Sequence, residues 1–301
     1  MAIGIDWGGT NIKGAVVDGA NVRASASVDT RVDAGPAAVL DDIAALVKQL
    51  EAKPESVGIA IPGEVRDDGC CWRLPNVPGF EDVNIAGELE KRLGCPVGVE
   101  NDATAAALAE RLYGWGNTYR SFLLVTLGTG IGGGVVLDGH VRRGASGFAG
   151  EIGHVMVNSA PDAWECGCGK RGCMEAYAGK AGLLRRYSEF GLIAENVKQI
   201  AQAEGEASDA VFQQLGESLG TGLAQINNVL DLDAFVFTGG VSGSFERFEP
   251  HLRRALKARA FAPPLAELPL QLSKLGNQAG VIGAAHLPAG SGAGPGHEIQ
   301  F

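Results

Sequence analysis

Short apolar runs alternate with glycine-rich breaks along the chain, and the period of each run predicts its element. Ala2 to Asp6 reads as a buried strand, Gly8-Gly9-Thr10 as a tight turn, and Ile12 to Val17 as a returning strand that ends at Asp18-Gly19, a favoured two-residue hairpin turn. From Pro36 to Leu50 the period changes: Leu40, Ile43, Val47 and Leu50 share one helical face, with Pro36 tolerated in the first turn. A strand follows at Val57 to Ile61. The loop after Pro62-Gly63 carries Leu74-Pro75-Asn76-Val77-Pro78-Gly79-Phe80, too rich in breakers for regular structure. Val97 to Asp102 leads into a helix-forming stretch, Ala103 to Leu112. Val211, Leu215, Leu219, Leu223, Ile226 and Leu230 predict a core helix, with Gly216, Gly220 and Gly222 allowing close packing. Phe235-Val236-Phe237-Thr238 then reads as a strand entering the turn Gly239-Gly240, and Val281 to His286 as a helix returning to the first lobe.

The pattern repeats. At an offset of 120 residues Gly8 aligns with Gly128, and Gly14-Ala15-Val16-Val17-Asp18-Gly19 aligns with Gly134-Val135-Val136-Leu137-Asp138-Gly139. Two related halves follow from this. The second copy has the denser turn, Gly128-Thr129-Gly130-Ile131-Gly132-Gly133, suited to close backbone approach. Exposed amides at such turns can surround phosphate oxygens, while Asp6 could hold a metal ion through water and Thr10, Asn11 and Lys13 could add donors. Either turn alone would be an ordinary hairpin; two copies favour a phosphate clamp.

Size agrees with two halves, because 301 residues exceed one comfortable hydrophobic core. We expect a smaller lobe from residues 1–117 plus 281–301 and a larger one from 118–280. A net charge of −10 argues against broad nucleic-acid or anionic-membrane binding. The absence of a targeting pattern or a run of about 20 apolar residues points to a cytoplasmic protein. Cys70, Cys71 and Cys95 are not spaced like a disulfide framework and read as small hydrophobic residues, and the tail from Pro288 has the composition of a disordered segment.

The densest chemistry lies between Gly150 and Glu175. His154, Cys166, Cys168 and Cys173 supply four ligands, a tetrahedral zinc set with no vacancy for catalysis, framed by the carboxylates of Glu151 and Glu175. Elsewhere Asn76 is a two-way hydrogen bonder or simply a turn residue. Asn101 and Asp102 stand where a helix cap belongs; alternatively Asp102 is a general base and Asn101 holds substrate or orders the loop. Gly239-Gly240 could pass under an adenosine or merely connect two elements.

Together, Asp6-Trp7-Gly8-Gly9-Thr10-Asn11-Ile12-Lys13, Glu100-Asn101-Asp102, the 127–134 turn, Gly150-Glu151-Ile152-Gly153-His154 and Cys166/Cys168/Cys173-Met174-Glu175 resemble the ROK family (repressor, open reading frame, kinase) over nearly the whole chain. The resemblance implies an α/β, two-lobed actin-like ATPase (ribonuclease H-like) fold, with an interlobe cleft and a zinc-stabilised loop. Mg2+ and ATP would lie between the glycine turns, contacted by Asp6, Gly8, Gly9, Thr10, Asn11, Lys13, Gly128, Thr129, Gly130, Gly132, Gly133, Gly239 and Gly240. Asp102 then corresponds to the base that takes a proton from the sugar hydroxyl, usually O6. Asn76, Asn101, Glu151, His154 and Glu175 match the family's sugar positions, and Gly63 lies where a backbone contact is expected. His154 would bind zinc through one ring nitrogen and a sugar hydroxyl through the other. Trp7, Thr104 and the Cys70-Cys71-Trp72 loop depart from the family pattern.

The expected activity is ATP-dependent hexose phosphorylation of the glucokinase kind. Kinases for N-acetylhexosamine, mannose or fructose share these motifs, and polyphosphate is an alternative donor. The family's sugar-responsive repressors carry a helix-turn-helix ahead of the first strand, which here starts at Ala2. A plain actin-like ATPase would leave Glu151, His154 and Glu175 unused. The resemblance also implies a homodimer.

Overall fold

A computed structural model of the chain describes residues 2–66, 70–75, 77–288 and 298–299. It divides into two compact units, residues 1–121, 134–150 and 273–301 in the first, and 122–133 and 151–272 in the second. The segments 134–150 and 273–280, expected in the larger lobe, therefore belong to the first unit, and the first change of unit falls after Ser121 rather than near 118.

The first unit is built on β1 (Ala2–Trp7), β2 (Asn11–Asp18), β3 (Asn21–Asp29), β4 (Val57–Ile61) and β7 (Val97–Asn101), ordered β3-β2-β1-β4-β7. β1 to β3 run antiparallel as a meander, while β4 and β7 join β1 in parallel. Between β3 and β4 lies α1 (Pro36–Leu50); between β4 and β7 lie a small hairpin of β5 (Glu64–Val65) with β6 (Cys71–Arg73) and then α2 (Ile85–Leu93); α3 (Asp102–Tyr113) follows β7. Alternation in β1 puts Ile3, Ile5 and Trp7 into one core with Val39, Leu40, Ile43, Leu46 and Val47 of α1. Cys71 is part of that core, and burial, ahead of the nearby Glu64 and Glu81 charges, pushes its thiol up to about 12, as suits an inert packing residue.

The meander turns one residue later than the sequence pattern predicts. Asp18 pairs with Asn21, so Gly19 and Ala20 form the two-residue loop, with Gly19 at φ 61°. A register shift between Val16 and Val17 accounts for the slip, since a bulge places one extra residue on the partner strand. In the second copy, Asp138 and Gly139 do form the loop, both at positive φ.

The second unit opens with β8 (Phe122–Leu127), and β9 (Ile131–Leu137) begins there before passing at Gly134 into the first unit, where it pairs antiparallel with β10 (His140–Arg142). The repeat is thus reproduced strand for strand, with β8 and the start of β9 at an offset of 120 residues from β1 and β2. After the stretch that carries His154 and the three cysteines come α4 (Met174–Ala178), α5 (Lys180–Ser188), α6 (Val197–Gln202), α7 (Glu206–Leu230), β11 (Ala234–Thr238), α8 (Phe245–Arg259), α9 (Pro263–Glu267) and β12 (Leu270–Leu272). β8, β11 and β12 pair in parallel. The predicted core helix is α7. Val211, Leu215, Leu219 and Leu223 are buried as expected, whereas Ile226 and Leu230 are half-buried, and Phe212 and Asn227 complete the inner face. A Cβ on Gly216 or Gly220 would lie 2.4 or 2.5 Å from a carbonyl oxygen of α8, so glycine sets that close packing.

The chain then returns to the first unit as α10 (Ala279–Ala285), which lies on β1 and β4. A Cβ on Gly4 would stand 2.0 Å from the Val281 carbonyl oxygen, one on Gly58 1.7 Å from that of Ala284, and one on Gly283 1.7 Å from that of Ala105 in α3. Sheet, α10 and α3 therefore pack backbone to backbone. Residues 289–297, most of the tail expected to be disordered, lie outside the described residues; β13 (Glu298–Ile299) pairs with β10. Among the described residues no helix is long and apolar enough to cross a membrane.

Candidate active site and metal centre

The first glycine turn is held from both sides. Gly8 N donates to Asn11 O at 2.9 Å across the turn, Thr30 Oγ1 donates to Gly8 O at 2.8 Å, and Thr30 N donates to Thr10 O at 3.0 Å. Thr30 was not singled out by the sequence pattern, because it lies at the end of β3, remote from the motif. Asp6 and Lys13 face each other in register, and Thr10 and Lys13 are exposed. Burial raises the Asp6 pKa, with the Lys13 charge opposing. The carboxylate also lies against Gly280, where a Cβ would stand 3.0 Å from Oδ2. A half-buried carboxylate beside a glycine turn is the kind of ligand Mg2+ takes, because that ion keeps several waters and is held by one or two carboxylates. Trp7 is fully buried edge-on to Phe80, with ring centroids 5.0 Å apart, and its indole nitrogen has no hydrogen-bond partner among the described residues.

At the end of β7 the capping role falls to Asn101. Its Oδ1 accepts from Ala103 N at 2.9 Å and Thr104 N at 3.1 Å, a cap of about 1 kcal/mol, while Nδ2 donates to Gly63 O at 3.1 Å. Both ends of the amide thus order the loop. Asp102, the first residue of α3, is half-buried, and its Oδ1 accepts from Ala103 N at 2.7 Å. Gly63 must be glycine, for a Cβ there would meet the Arg73 carbonyl oxygen at 2.4 Å. Asn76 lies outside the described residues. Sequence reasoning also missed an ion pair: Glu100 accepts from Arg143 Nε at 2.6 Å through Oε2 and from Asn101 N at 2.7 Å through Oε1. The available signal was a carboxylate inside the apolar run Val97-Gly98-Val99-Glu100, which demands a partner when buried.

In the second unit His154, Cys166, Cys168 and Cys173 converge, their ligand atoms all within 4.8 Å of one another. Cys168 Sγ and Cys173 Sγ are 3.7 Å apart, and Cys166 Sγ is 3.6 Å from His154 Nδ1. Tetrahedral zinc with bonds of about 2.3 Å to sulfur and about 2.05 Å to nitrogen requires edges of roughly 3.8 and 3.6 Å, so the donor set fits Zn2+. Burial pushes the Cys166 thiol up to about 12, so a neutral-pH thiolate there needs a cation to replace its proton. The loop is braced by Tyr177, whose ring stacks on Trp164 at 4.6 Å and whose hydroxyl accepts from Trp164 N and Asn158 Nδ2. Arg185 covers the other side of Trp164 at 4.1 Å, a cation–π contact of about 0.5–1 kcal/mol.

The two framing acids differ. Glu151 is exposed, with Oε2 3.6 Å from His154 Nε2, the ring nitrogen turned away from the cysteine cluster. Glu175 reaches the second glycine turn: its Oε2 accepts from Ile131 N at 2.9 Å and would lie 2.2 Å from a Cβ on Gly130. Lys180 N donates to Thr129 O at 3.2 Å, so the helices after Cys173 hold this turn at two points. Gly132 N donates to Thr126 Oγ1 at 3.1 Å, Gly133 is buried, and Gly128 has open space beside it. Gly239, at φ 92°, backs onto Leu127, where a Cβ would meet the carbonyl oxygen at 2.4 Å; Gly240 has open space beside it.

The ROK family profile matches residues 2–290. A glucokinase of Streptomyces coelicolor is 32% identical, over 95% of this chain and 97% of its own. An N-acetylmannosamine kinase of Citrobacter koseri is also 32% identical, over 96% and 98%. Among solved structures, a ROK family glucokinase from Streptomyces griseus in complex with glucose and AMPPNP superposes with a TM-score of 0.82 at 31% identity, covering 95% of this chain and 98% of that one.

Proposed function

The chain belongs to the ROK family, and from that premise we propose that it transfers the γ-phosphoryl group of ATP to O6 of a hexose, with glucose as the preferred acceptor. The observation that carries this reading is the Glu151/His154/Glu175 arrangement on a closed cysteine cluster, because a bare nucleotide-hydrolysing fold has no use for it.

In this reading Asp102 accepts the O6 proton as O6 attacks the γ-phosphorus, and the bond between that phosphorus and the bridging oxygen breaks with its electron pair left on ADP. Orientation is what the protein adds to this base. Asn101 supplies it by fixing the first turn of α3 and the Gly63 carbonyl. Amides of the two glycine turns offset phosphate charge, and Mg2+, when bound beside Asp6, supplies the remaining compensation. Glu151, Glu175 and His154 Nε2 contact sugar hydroxyls, while zinc acts only to hold the loop.

Two expectations test this. Thr30→Val removes one hydrogen bond from the first turn and keeps the side-chain shape, so ATP saturation curves should show KM raised roughly two- to ten-fold. A screen of glucose, mannose, fructose, N-acetylglucosamine and N-acetylmannosamine, each with ATP or polyphosphate, should give the highest kcat/KM for glucose with ATP. Preference for N-acetylmannosamine would transfer the assignment to the kind of kinase seen in Citrobacter koseri. ATP hydrolysis with no sugar product would overturn it.

A further inference from the structure

Glu100 and Arg143 form a buried ion pair, their side chains 3% and 9% exposed and their atoms 2.6 Å apart. Burying two charges is expensive, and a well-packed apolar pair is often as stable, so such pairs are poor stability devices. This one holds a particular atom. The second oxygen of Glu100 accepts from Asn101 N at 2.7 Å, one residue before the proposed base. Arg143 is itself a fixed post: its carbonyl accepts from Ala149 N at 2.9 Å, closing the 143–149 loop. Gly147 seats that loop on β5, where a Cβ would stand 2.4 Å from the Val65 carbonyl oxygen, and an Arg143 Nη donates to the same oxygen at 3.5 Å.

We propose that Arg143 is a positioning residue for phosphoryl transfer, acting through Glu100 and the Asn101 amide to set the angle at which Asp102 leaves β7. This rests on the kinase reading above. The carboxylate of Glu100 is oriented by the guanidinium, the Asn101 peptide by the carboxylate, and the Asp102 side chain by that peptide and the Asn101 cap. Displacing a reacting group by about 1 Å can cost 10²-fold in rate, so a chain of short, buried hydrogen bonds is an effective way to hold a base.

The decisive variant is the double replacement Glu100→Met/Arg143→Met, which removes both charges together. Its melting temperature should fall less than that of either single replacement, which strands a buried charge as well as the Asn101 amide or its carboxylate partner. We expect kcat of the double variant to fall roughly ten- to a hundred-fold. In an Asp102→Asn background the same double replacement should change the residual rate less than about two-fold, because groups acting through one residue are not additive. An equal fold-loss in both backgrounds, or an unchanged kcat, would overturn the proposal and leave the pair purely structural. Should the double variant fail to fold, Arg143→Lys keeps the charge and loses the fork, and is expected to lower kcat about ten-fold at near-parental melting temperature. Amide exchange at Asn101 and Ala103, measured without any substrate, should quicken about ten-fold in whichever variant folds. Unchanged exchange sinks the proposal even if no hexose is phosphorylated, an outcome that would separately refute the kinase reading.

Discussion

Replacing Asp102 by Asn is expected to lower kcat for hexose phosphorylation by about 10²- to 10⁴-fold, the range general-base catalysis contributes, while sugar binding stays measurable by calorimetry. The substitution is nearly isosteric, and its amide oxygen can still accept from Ala103 N as the Asp102 Oδ1 does at 2.7 Å. Helix capping does not depend on it, since Asn101 Oδ1 receives the Ala103 and Thr104 amides. Loss of a negative charge in the first turn of α3 costs about 0.3–1 kcal/mol, too little to unfold the protein. A large fall in kcat with preserved binding therefore isolates proton transfer. Near-normal turnover would remove Asp102 from the mechanism.

Cys168→Ser is expected to lose the zinc and to raise the sugar KM by about ten- to a hundred-fold, the range typical when the support of a metal-held site is removed. Binding of a structural zinc ion is worth about 10–16 kcal/mol in small metal-folded peptides, so the loop cannot keep its form by packing alone once a ligand is missing. Geometry says which properties should follow. His154 belongs to the cysteine cluster and neighbours Glu151, and Glu175 lies on the helix that starts directly after Cys173 while gripping Ile131 N at 2.9 Å. The KM for ATP should therefore rise as well, by a smaller factor. Metal content by mass spectrometry and kinetics on the same preparation provide the check. Unchanged sugar kinetics in zinc-free protein would show that the knuckle and the sugar site are independent.

Local chemistry was legible in the sequence where spacing alone carries it. His154, Cys166, Cys168 and Cys173 converge as a ligand set, and the 120-residue repeat predicted paired strand–turn–strand units that the structure reproduces. What escaped depends on partners distant in the chain. Glu100 announces a need for a cation, but nothing in the sequence selects Arg143, and Thr30 grips the first glycine turn from the far end of the meander. The unit boundary escaped for a different reason: β9 is one continuous strand, and the Gly132-Gly133-Gly134 run at which it passes from the second unit into the first reads in sequence as part of the glycine turn, not as a change of unit. The turn after β2 slipped because a bulge in the pairing of β2 and β3 is a property of two strands and is invisible in either one.

The placing of α10 has a consequence for how the protein is made. Its seat on β1 and β4 is cut to backbone dimensions by Gly4 and Gly58, and Gly283 meets α3 at Ala105 equally closely. The helix that covers those strands is separated from them in sequence by the whole of the second unit. Until it docks, the Gly4 and Gly58 surface of β1 and β4 lacks this cover, and contacts so remote in sequence are slow to form and exposed to aggregation meanwhile. The first unit is therefore completed only by a segment that lies beyond the second in sequence.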